Sequence, residues 1–346
     1  MDKKVVVTGC SGFIGYHLSN TLLDDDKTVI GIDSLNNAYD VKLKQKRLEE
    51  LEKKENFVFL NNNLNEQDSL NEIKNYEIST IYHMAARAGV RQSFLDPQSY
   101  IEDNTFATAN ISNFSKQMEI PELILASTSS IYGDSGQDLM VEEKDEKIKP
   151  PSVYASTKLS GESLSKIILE DTNTKLIISR FFTVYGPYGR PDMSILRFIH
   201  WIMNEKEVKV FGNGEQQRSF TFIEDVIAAL RKMSGLEKSN TFNVGSNITV
   251  SLNDVIKLIE EFTGKSAKIE NLERAYKDPD VVRPNLENIK NTIGWEPTTK
   301  IEEGIAKTVS WYKENESYLK ELVYICLLYT SPSPRDTLLS RMPSSA

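Results

Sequence analysis

Cysteine and histidine are scarce in this chain of 346 residues, and their scarcity excludes several kinds of site. The 2 cysteines, Cys10 and Cys326, are too few for a disulfide framework or a thiolate metal site. The 3 histidines, His17, His83 and His200, lack the spacing of metal ligands, so we expect no bound metal. Because so few thiols are typical of a protein from a reducing compartment, we expect a cytoplasmic location.

Long apolar runs and blocks of basic residues are also missing. No segment approaches the roughly 18 apolar residues that a membrane-spanning helix needs. The N-terminus enters a strand-like run directly, unlike a signal peptide. Lys and Arg number 41 against 50 Asp and Glu, which gives a net charge of −9. This balance argues against nucleic acid or an anionic membrane as a partner, and we expect neither.

The end of the chain, residues 326–346, resembles the translation of a sequencing-library adaptor. One adaptor block translates as the CLLYTSPSPRD that begins at Cys326, and a second as the SRMPSSA that ends at Ala346. We therefore exclude this segment from the fold prediction and expect that the natural reading frame is cut near Ile325, with its true C-terminus unknown. The alternative is a disordered tail rich in serine and proline.

The first half of the chain alternates short apolar runs with segments of helical periodicity. The predicted strands are Val5–Thr8, Thr28–Ile32, Phe57–Leu60, Thr80–His83, Leu123–Ser127 and Lys175–Phe181. The predicted helices between them are Phe13–Leu23, Val41–Lys53 and Tyr100–Met118. Strand and helix in repetition predict an α/β fold, a Rossmann-type doubly wound parallel sheet with helices on both faces.

The pattern changes after Tyr185-Gly186-Pro187, where helical segments alternate with isolated strands. The predicted helices here are Ser194–Asn204, Ile223–Met233 and Leu252–Phe262. We predict a Rossmann domain over residues 1–182, with a returning segment near 219–246, and a smaller α/β substrate-binding lobe mainly over 183–325. The cleft between the two is the expected ligand site.

A glycine-rich turn follows the first predicted strand. The run TGCSGFIG places Gly9, Gly12 and Gly15 between that strand and the first helix, where backbone N–H groups can approach a pyrophosphate. The second strand is followed by Asp33, an acid that suits the adenosine ribose of NAD and repels the 2′-phosphate of NADP. The alternative is a structural turn with a solvated aspartate.

A tyrosine and a lysine lie four residues apart in the segment VYASTK. Tyr154 and Lys158 therefore share one helix face, and an ammonium beside a phenol lowers its pKa toward that of a usable base. Thr128 and Ser129 follow a predicted strand, at the sheet edge where α/β proteins bind ligands. An accidental Tyr–Lys spacing and an ordinary Ser/Thr turn are the alternatives.

These motifs together resemble the extended short-chain dehydrogenase/reductase family. The motifs are TGCSGFIG, Asp33, HMAA at 83–86, STSSIYG, YASTK and GWEP. Within the family the details resemble UDP-glucuronate 4-epimerases, above all RFFTVYGPYGRPDM at 180–193. Related UDP-glucose epimerases and decarboxylases usually have asparagine where this chain has Thr183.

The resemblance implies roles for individual residues. The implied NAD contacts are Gly9, Gly12, Gly15, Asp33, Asn63, Ala85, Asn104, Tyr154 and Lys158. The implied substrate contacts are Arg91, Ser129, Thr183, Arg190, Arg218 and Arg283. Arg218 and Arg283 would hold the UDP diphosphate, and surface arginines are the alternative. Arg190 and Thr183 would grip the sugar carboxylate, against the alternative of a solvated arginine and a turn-capping threonine.

The implied activity is NAD-dependent 4-epimerisation of UDP-glucuronate to UDP-galacturonate through a 4-keto intermediate, with Tyr154, Lys158 and Thr128 as catalytic residues. The resemblance also implies a homodimer formed through the helices Tyr100–Met118 and Tyr154–Leu169. Two kinds of alternative stay open. One is a UDP-glucose or UDP-GlcNAc 4-epimerase, or a UDP-glucuronate decarboxylase, on the same fold. The other is a non-catalytic NAD-binding scaffold, against which the Tyr154–Lys158 pair counts.

Overall fold

The computed structural model describes residues 3–66, 68–134, 139–142, 148–273 and 279–324. The segment 326–346, which resembles translated adaptor sequence, lies outside these residues. None of the described helices is long and apolar enough to cross a membrane. The described residues include no group of three or more His, Cys, Asp or Glu side chains that could hold a metal ion.

A seven-stranded parallel sheet forms the centre of the molecule. The strands of the chain are β1 Lys4–Thr8, β2 Val29–Ile32, β3 Phe57–Leu60, β4 Ile78–His83, β5 Glu122–Thr128, β6 Lys175–Phe181, β7 Thr183–Tyr185, β8 Glu207–Phe211, β9 Gln217–Arg218, β10 Phe220–Phe222, β11 Asn240–Val244, β12 Val250–Ser251, β13 Lys268–Leu272 and β14 Val281–Val282. The main sheet has the order β11-β6-β5-β4-β1-β2-β3. Its strand order reverses between β1 and β4, so the carboxyl ends of these two strands open a crevice for a ligand.

Helices cover the sheet and build the second lobe. They are α1 Phe13–Asp24, α2 Val41–Glu52, α3 Val90–Leu95, α4 Pro97–Tyr100, α5 Ala107–Gln117, α6 Val153–Leu169, α7 Ser194–Met203, α8 Ile223–Met233, α9 Leu252–Thr263, α10 Glu287–Ile293, α11 Ile301–Glu314 and α12 Glu316–Leu319. The predicted doubly wound sheet is confirmed, and the predicted strands of the first half match the observed ones to within two residues.

One predicted helix differs from the structure. Residues Tyr100–Met118 were expected to form a single α-helix, but Ile101–Phe106 form a π-helical segment between α4 and α5. This wider turn holds the Asn104 side chain inside, where its amide nitrogen donates to the Arg87 carbonyl and to Thr157 Oγ1, both at 3.0 Å. The tertiary hydrogen bonds of Asn104 explain the departure, which helical periodicity cannot predict.

The second lobe shares its core with the sheet. Its small sheets pair β7 with β10, β8 with β13, and β9 with both β12 and β14. The segment predicted to return contributes β11, the edge strand of the main sheet. One continuous cluster of buried apolar side chains joins residues of the sheet such as Val7 and Ile177 to residues of the lobe such as Phe198 and Trp311. The two parts therefore pack as one body around the crevice.

Candidate functional site

A cavity of about 350 Å³ lies at the carboxyl ends of the central strands and extends to the junction with the second lobe. It brings together most of the residues that the sequence predicts for the site. Those that line it are Gly9, Gly12, Gly15, Asp33, Asn63, Ala85, Thr128, Ser129, Tyr154, Lys158, Thr183 and Arg190.

The glycine turn forms one wall of the cavity. Gly9 has a φ of +69°, and a Cβ atom there would stand 2.7 Å from the Ala85 Cα atom. A Cβ atom on Gly15 would overlap the Gly9 carbonyl oxygen. Helix α1 begins directly after Gly12, and no side chain caps its first N–H groups. These N–H groups and the helix dipole are suited to a diphosphate.

Asp33 is fixed at the end of the cavity that adjoins the glycine turn. Its carboxylate accepts hydrogen bonds from the backbone N–H of Ser11 at 3.1 Å and of Leu35 at 2.8 Å. Lys44 Nζ lies 3.6 Å from Asp33 Oδ1, and both side chains are buried. Lys44 also lines the cavity, and the sequence reasoning missed it. Lys44 could have been found from the helical periodicity, because it lies on the face of helix α2 that residues 47, 48 and 51 bury.

The tyrosine and lysine of helix α6 stand at the opposite end. Ser152 caps this helix by accepting from the Ala155 N–H at 3.1 Å, which fixes the first turn that carries Tyr154. Burial raises the pKa of Tyr154, while a hydrogen bond from Thr128 and the charge of Arg190 lower it. Burial also lowers the pKa of Lys158 to about 8, against the opposing charge of Glu162.

The electrostatics differ from the prediction in one respect. The sequence predicts that Lys158 lowers the pKa of Tyr154, but in the structure Arg190 is the cation that does so, and burial outweighs it. Arg190 reaches the phenol from the other side of the cavity, a contact that spacing along one helix cannot predict. The phenol therefore lies among Thr128, Arg190 and Lys158.

A buried ion pair supports this end of the site from behind. Glu162, one turn beyond Lys158 on α6, accepts two hydrogen bonds from Arg180 of β6, at 3.1 and 2.7 Å. Ser127 at the end of β5 donates to the same carboxylate. Both charged side chains are only 1% exposed. The sequence reasoning did not single out this pair, because the spacing of Glu162 from Lys158 does not reveal a partner on another strand.

Arg190 and Thr183 lie at the lobe junction, and both line the cavity. The Nε and Nη2 atoms of Arg190 donate to the Asp192 carboxylate at 3.0 and 2.6 Å. Nη2 also donates to the Ala88 carbonyl at 3.1 Å. The predicted grip of Arg190 on a ligand carboxylate stays a prediction, and in this arrangement Asp192 occupies the Nε–Nη2 edge. The Nη1 group is the part of Arg190 left for a ligand.

Four predicted residues do not line the cavity. Asn104 lies behind it, and its amide also accepts from the Arg87 N–H at 2.7 Å, so it fixes the 87–90 segment. The Arg91 guanidinium lies 3.7 Å from the Phe211 ring centroid. Arg218 belongs to strand β9 and pairs with Val282 of β14, and Arg283 directly follows β14.

Comparison with protein families gives one match over most of the chain. The model of the family described as GDP-mannose 4,6 dehydratase matches residues 6–308. A protein named UDP-glucuronate 4-epimerase from Thermodesulfobacterium geofontis is 42% identical over 322 residues, which are 92% of this chain and 98% of the relative.

Solved structures give matches of the same kind. The UDP-glucuronic acid 4-epimerase from Bacillus cereus, solved in complex with UDP-glucuronic acid and NAD, has a TM-score of 0.84 and 31% identity. The match covers 90% of this chain and 99% of that one. MoeE5, solved in complex with UDP-glucose and NAD, has a TM-score of 0.81 and 30% identity, over 90% of this chain and 99% of its own.

Proposed function

The chain belongs to the GDP-mannose 4,6 dehydratase family of extended short-chain dehydrogenases/reductases, and from this premise we propose that it is an NAD-dependent UDP-glucuronate 4-epimerase. The observation that carries the proposal is the cavity itself. It places the glycine turn and Asp33 at one end and the Tyr154 phenol, with Thr128 and Arg190, at the other. A dinucleotide and a sugar could thus meet at a phenolic base.

The cavity residues fit NAD. Gly9, where any Cβ would strike Ala85, provides the close backbone approach that a diphosphate needs. Asp33 offers a fixed carboxylate to ribose hydroxyls. We assign the NAD contacts to the residues that the resemblance implies, with Asn104 acting from behind the cavity wall. When bound, NAD would supply a reversible acceptor for the hydride at C4 of the sugar.

Tyr154 moves the proton that accompanies this chemistry. Its phenolate oxygen takes the C4 hydroxyl proton as the C4–H bond breaks, which leaves a ketone at C4. After the sugar turns about its phosphate linkage, the phenol returns the proton to the C4 oxygen, so the base ends as it began. Thr128 donates to the phenolate, and the charge of Arg190 stabilises it.

Arg190 and Thr183 favour glucuronate over a neutral hexose. A ketone at C4 is beta to the C6 carboxylate, and such acids lose CO₂ when the carboxylate bond stands perpendicular to the carbonyl plane. The Nη1 group of Arg190 and the Thr183 hydroxyl can hold the carboxylate away from that geometry. Ser129 would contact the sugar, Arg218 and Arg283 would hold the diphosphate, and Arg91 would be a further substrate contact.

A homodimer in the cytoplasm completes the proposal. Helices α3 and α6 and the π-helical segment before α5 expose apolar side chains, among them Leu95 (72%), Phe106 (55%) and Ile167 (69%). Exposed apolar side chains of this size favour an interface in which a second copy of the chain buries them. Sedimentation analysis of the native chain and of Phe106→Glu tests this, and a monomeric native chain overturns it. The buried Cys10 thiol has no disulfide partner in the described chain, in keeping with a reducing compartment.

The decisive experiment is incubation of the purified protein with UDP-glucuronate, with products identified by NMR. UDP-galacturonate with no net change in NAD supports the epimerase. A UDP-pentose as the main product favours a decarboxylase, and conversion of UDP-glucose alone favours the hexose epimerase. Binding of NAD without turnover of any UDP-sugar would favour the non-catalytic NAD-binding scaffold.

A further inference from the structure

Arg47 is a fully buried arginine that the mechanism above does not use. It lies on helix α2, behind the cavity wall. Its Nη1 atom donates to the Ser11 carbonyl of the glycine turn at 2.9 Å and to the Tyr39 hydroxyl at 2.5 Å. Its Nη2 atom donates to the carbonyls of Tyr188 and Gly189 at 2.6 and 3.3 Å. One guanidinium therefore joins two segments that are remote in sequence.

The partners of Arg47 are unusual for a buried charge. Among the described residues, no carboxylate forms an ion pair with it, and its Nε atom has no hydrogen-bond partner. Burying a guanidinium without a counter-ion costs free energy that neutral oxygens only partly return. A side chain kept at such a cost indicates a function other than packing, and its partners indicate which one.

The segment that Arg47 holds carries the sugar-binding side of the proposed site. Gly189, whose carbonyl Arg47 binds, directly precedes Arg190. Tyr188 has a φ of +56°, a left-handed conformation that side chains other than glycine rarely adopt. Its ring packs against Tyr16 and Trp311, with centroids 4.8 and 4.9 Å apart. Without the hydrogen bond to its carbonyl, this turn would be free to relax.

Tyr39 makes a second connection between the two arginines. Its hydroxyl accepts from Arg47, while its ring lies 5.5 Å from the Arg190 guanidinium carbon and lines the cavity. The Arg47 guanidinium carbon lies 5.6 Å from the same ring. Displacing Arg47 would thus disturb both the backbone before Arg190 and the ring beside it.

We propose that Arg47 is a positioning residue that locks the Tyr188–Arg190 turn of the second lobe onto the glycine turn and so sets where Arg190 stands in the cavity. Binding of the dinucleotide and restraint of the sugar carboxylate then depend on one shared buried contact. The catalytic consequence rests on the proposed epimerase function, whereas the structural contact does not.

The test compares Arg47→Lys with Lys46→Met. Lysine keeps the charge but cannot bridge two segments with a planar pair of donors. Lys46 lies on the same helix and is partly exposed, so its variant controls for changes to α2. With UDP-glucuronate, Arg47→Lys is expected to raise KM roughly three- to tenfold and to enlarge the decarboxylated share of product, while Lys46→Met leaves both unchanged.

A double variant shows whether Arg47 acts through Arg190. If it does, Arg47→Lys adds little to the decarboxylated share already produced by Arg190→Ala. The proposal is overturned if the two substitutions raise the decarboxylated share independently, so that their effects multiply. It is also overturned if a folded Arg47→Lys has the KM and the product ratio of the native chain. If the lysine variant does not fold, Arg47→Gln replaces it. Failure of both to fold would assign Arg47 a purely structural role and also overturn the proposal.

A measurement without turnover separates this proposal from the epimerase assignment. Amide hydrogen exchange over residues 185–192 should be faster in Arg47→Lys than in the native chain and in Lys46→Met. Unchanged exchange there overturns the positioning role. Failure of the native chain to convert UDP-glucuronate overturns the epimerase function and leaves this readout intact.

Discussion

At the scale of single residues, the Tyr154 phenol lies between opposing influences. Burial raises its pKa, and Thr128 and Arg190 lower it. Tyr154→Phe removes the proton acceptor while keeping the ring, so we expect turnover of UDP-glucuronate to fall about 10²–10⁴-fold with little change in stability. Product formation and thermal unfolding measure the two effects. A variant with near-native rate would rule out Tyr154 as the base.

Arg190 is the second residue whose replacement has a distinct signature. Arg190→Ala removes the Nη1 donor and leaves the Asp192 carboxylate without its two hydrogen bonds. We expect a higher KM for UDP-glucuronate and a larger fraction of intermediate lost as UDP-pentose or its 4-keto form. Mass spectrometry at matched turnover measures this fraction. An unchanged KM together with no extra decarboxylation would show that Arg190 does not hold the carboxylate.

Asp33 governs the choice of cofactor. Its carboxylate should repel the 2′-phosphate of NADP, although the Lys44 ammonium at 3.6 Å offsets part of that charge. We expect the protein to bind NAD more tightly than NADP. Asp33→Ser should reduce the ratio of the two Kd values roughly tenfold or more. Calorimetric titration with both dinucleotides provides the measurement. Tighter binding of NADP by the native chain would contradict the assignment.

At the scale of elements, the Glu162–Arg180 pair ties helix α6 to strand β6. Glu162→Gln leaves the Arg180 charge buried without its partner, which typically costs about 3–5 kcal/mol. Urea unfolding should show this loss, while Lys166→Gln, at an exposed position of the same helix, should change stability by less than about 0.5 kcal/mol. Replacing both Glu162 and Arg180 by methionine should cost less than Glu162→Gln alone.

The sequence predicts the elements better than it predicts which charges they bury. Periodicity and the glycine turn are local signals, so the strands, the doubly wound sheet and the start of α1 follow from them. The burial of Lys44, Arg47 and the Glu162–Arg180 pair depends on partners that lie on other segments of the fold. The π-helical segment depends likewise on the hydrogen bonds of Asn104. Local propensity does not encode such contacts.

At the scale of the whole molecule, acid should destabilise the fold through its histidines. His83 and His200 are buried and His17 is half-buried. All three favour the neutral form, since desolvation lowers the pKa of His17 to about 4, of His83 to about 3 and of His200 to about 4. Below pH 6.5 the histidines of the unfolded chain bind protons, while those of the folded chain do not. The contribution of the histidines to the free energy of unfolding is therefore complete above that pH. It is lost as the pH falls toward the folded values.

Between pH 7 and pH 5 the free energy of unfolding should fall by about 2 kcal/mol for each histidine. Urea unfolding at the two pH values measures it. His17→Gln can still donate to the Pro187 carbonyl that His17 contacts at 2.9 Å, and it should reduce the loss by about one third of the histidine contribution. An equal loss in native and variant chains would show that His17 does not bind a proton on unfolding.

The core that both lobes share has a consequence for metabolism. Because one apolar cluster continues from the sheet into the second lobe, the crevice cannot open by a hinge without exposing that core. We expect a dinucleotide held there to leave by local fraying rather than by domain opening, and 4-epimerisation would leave its oxidation state unchanged over one cycle. The enzyme then draws nothing from the cellular pool of oxidised and reduced dinucleotide. Its flux follows the concentrations of the two sugar nucleotides and is insulated from the redox state of the cell.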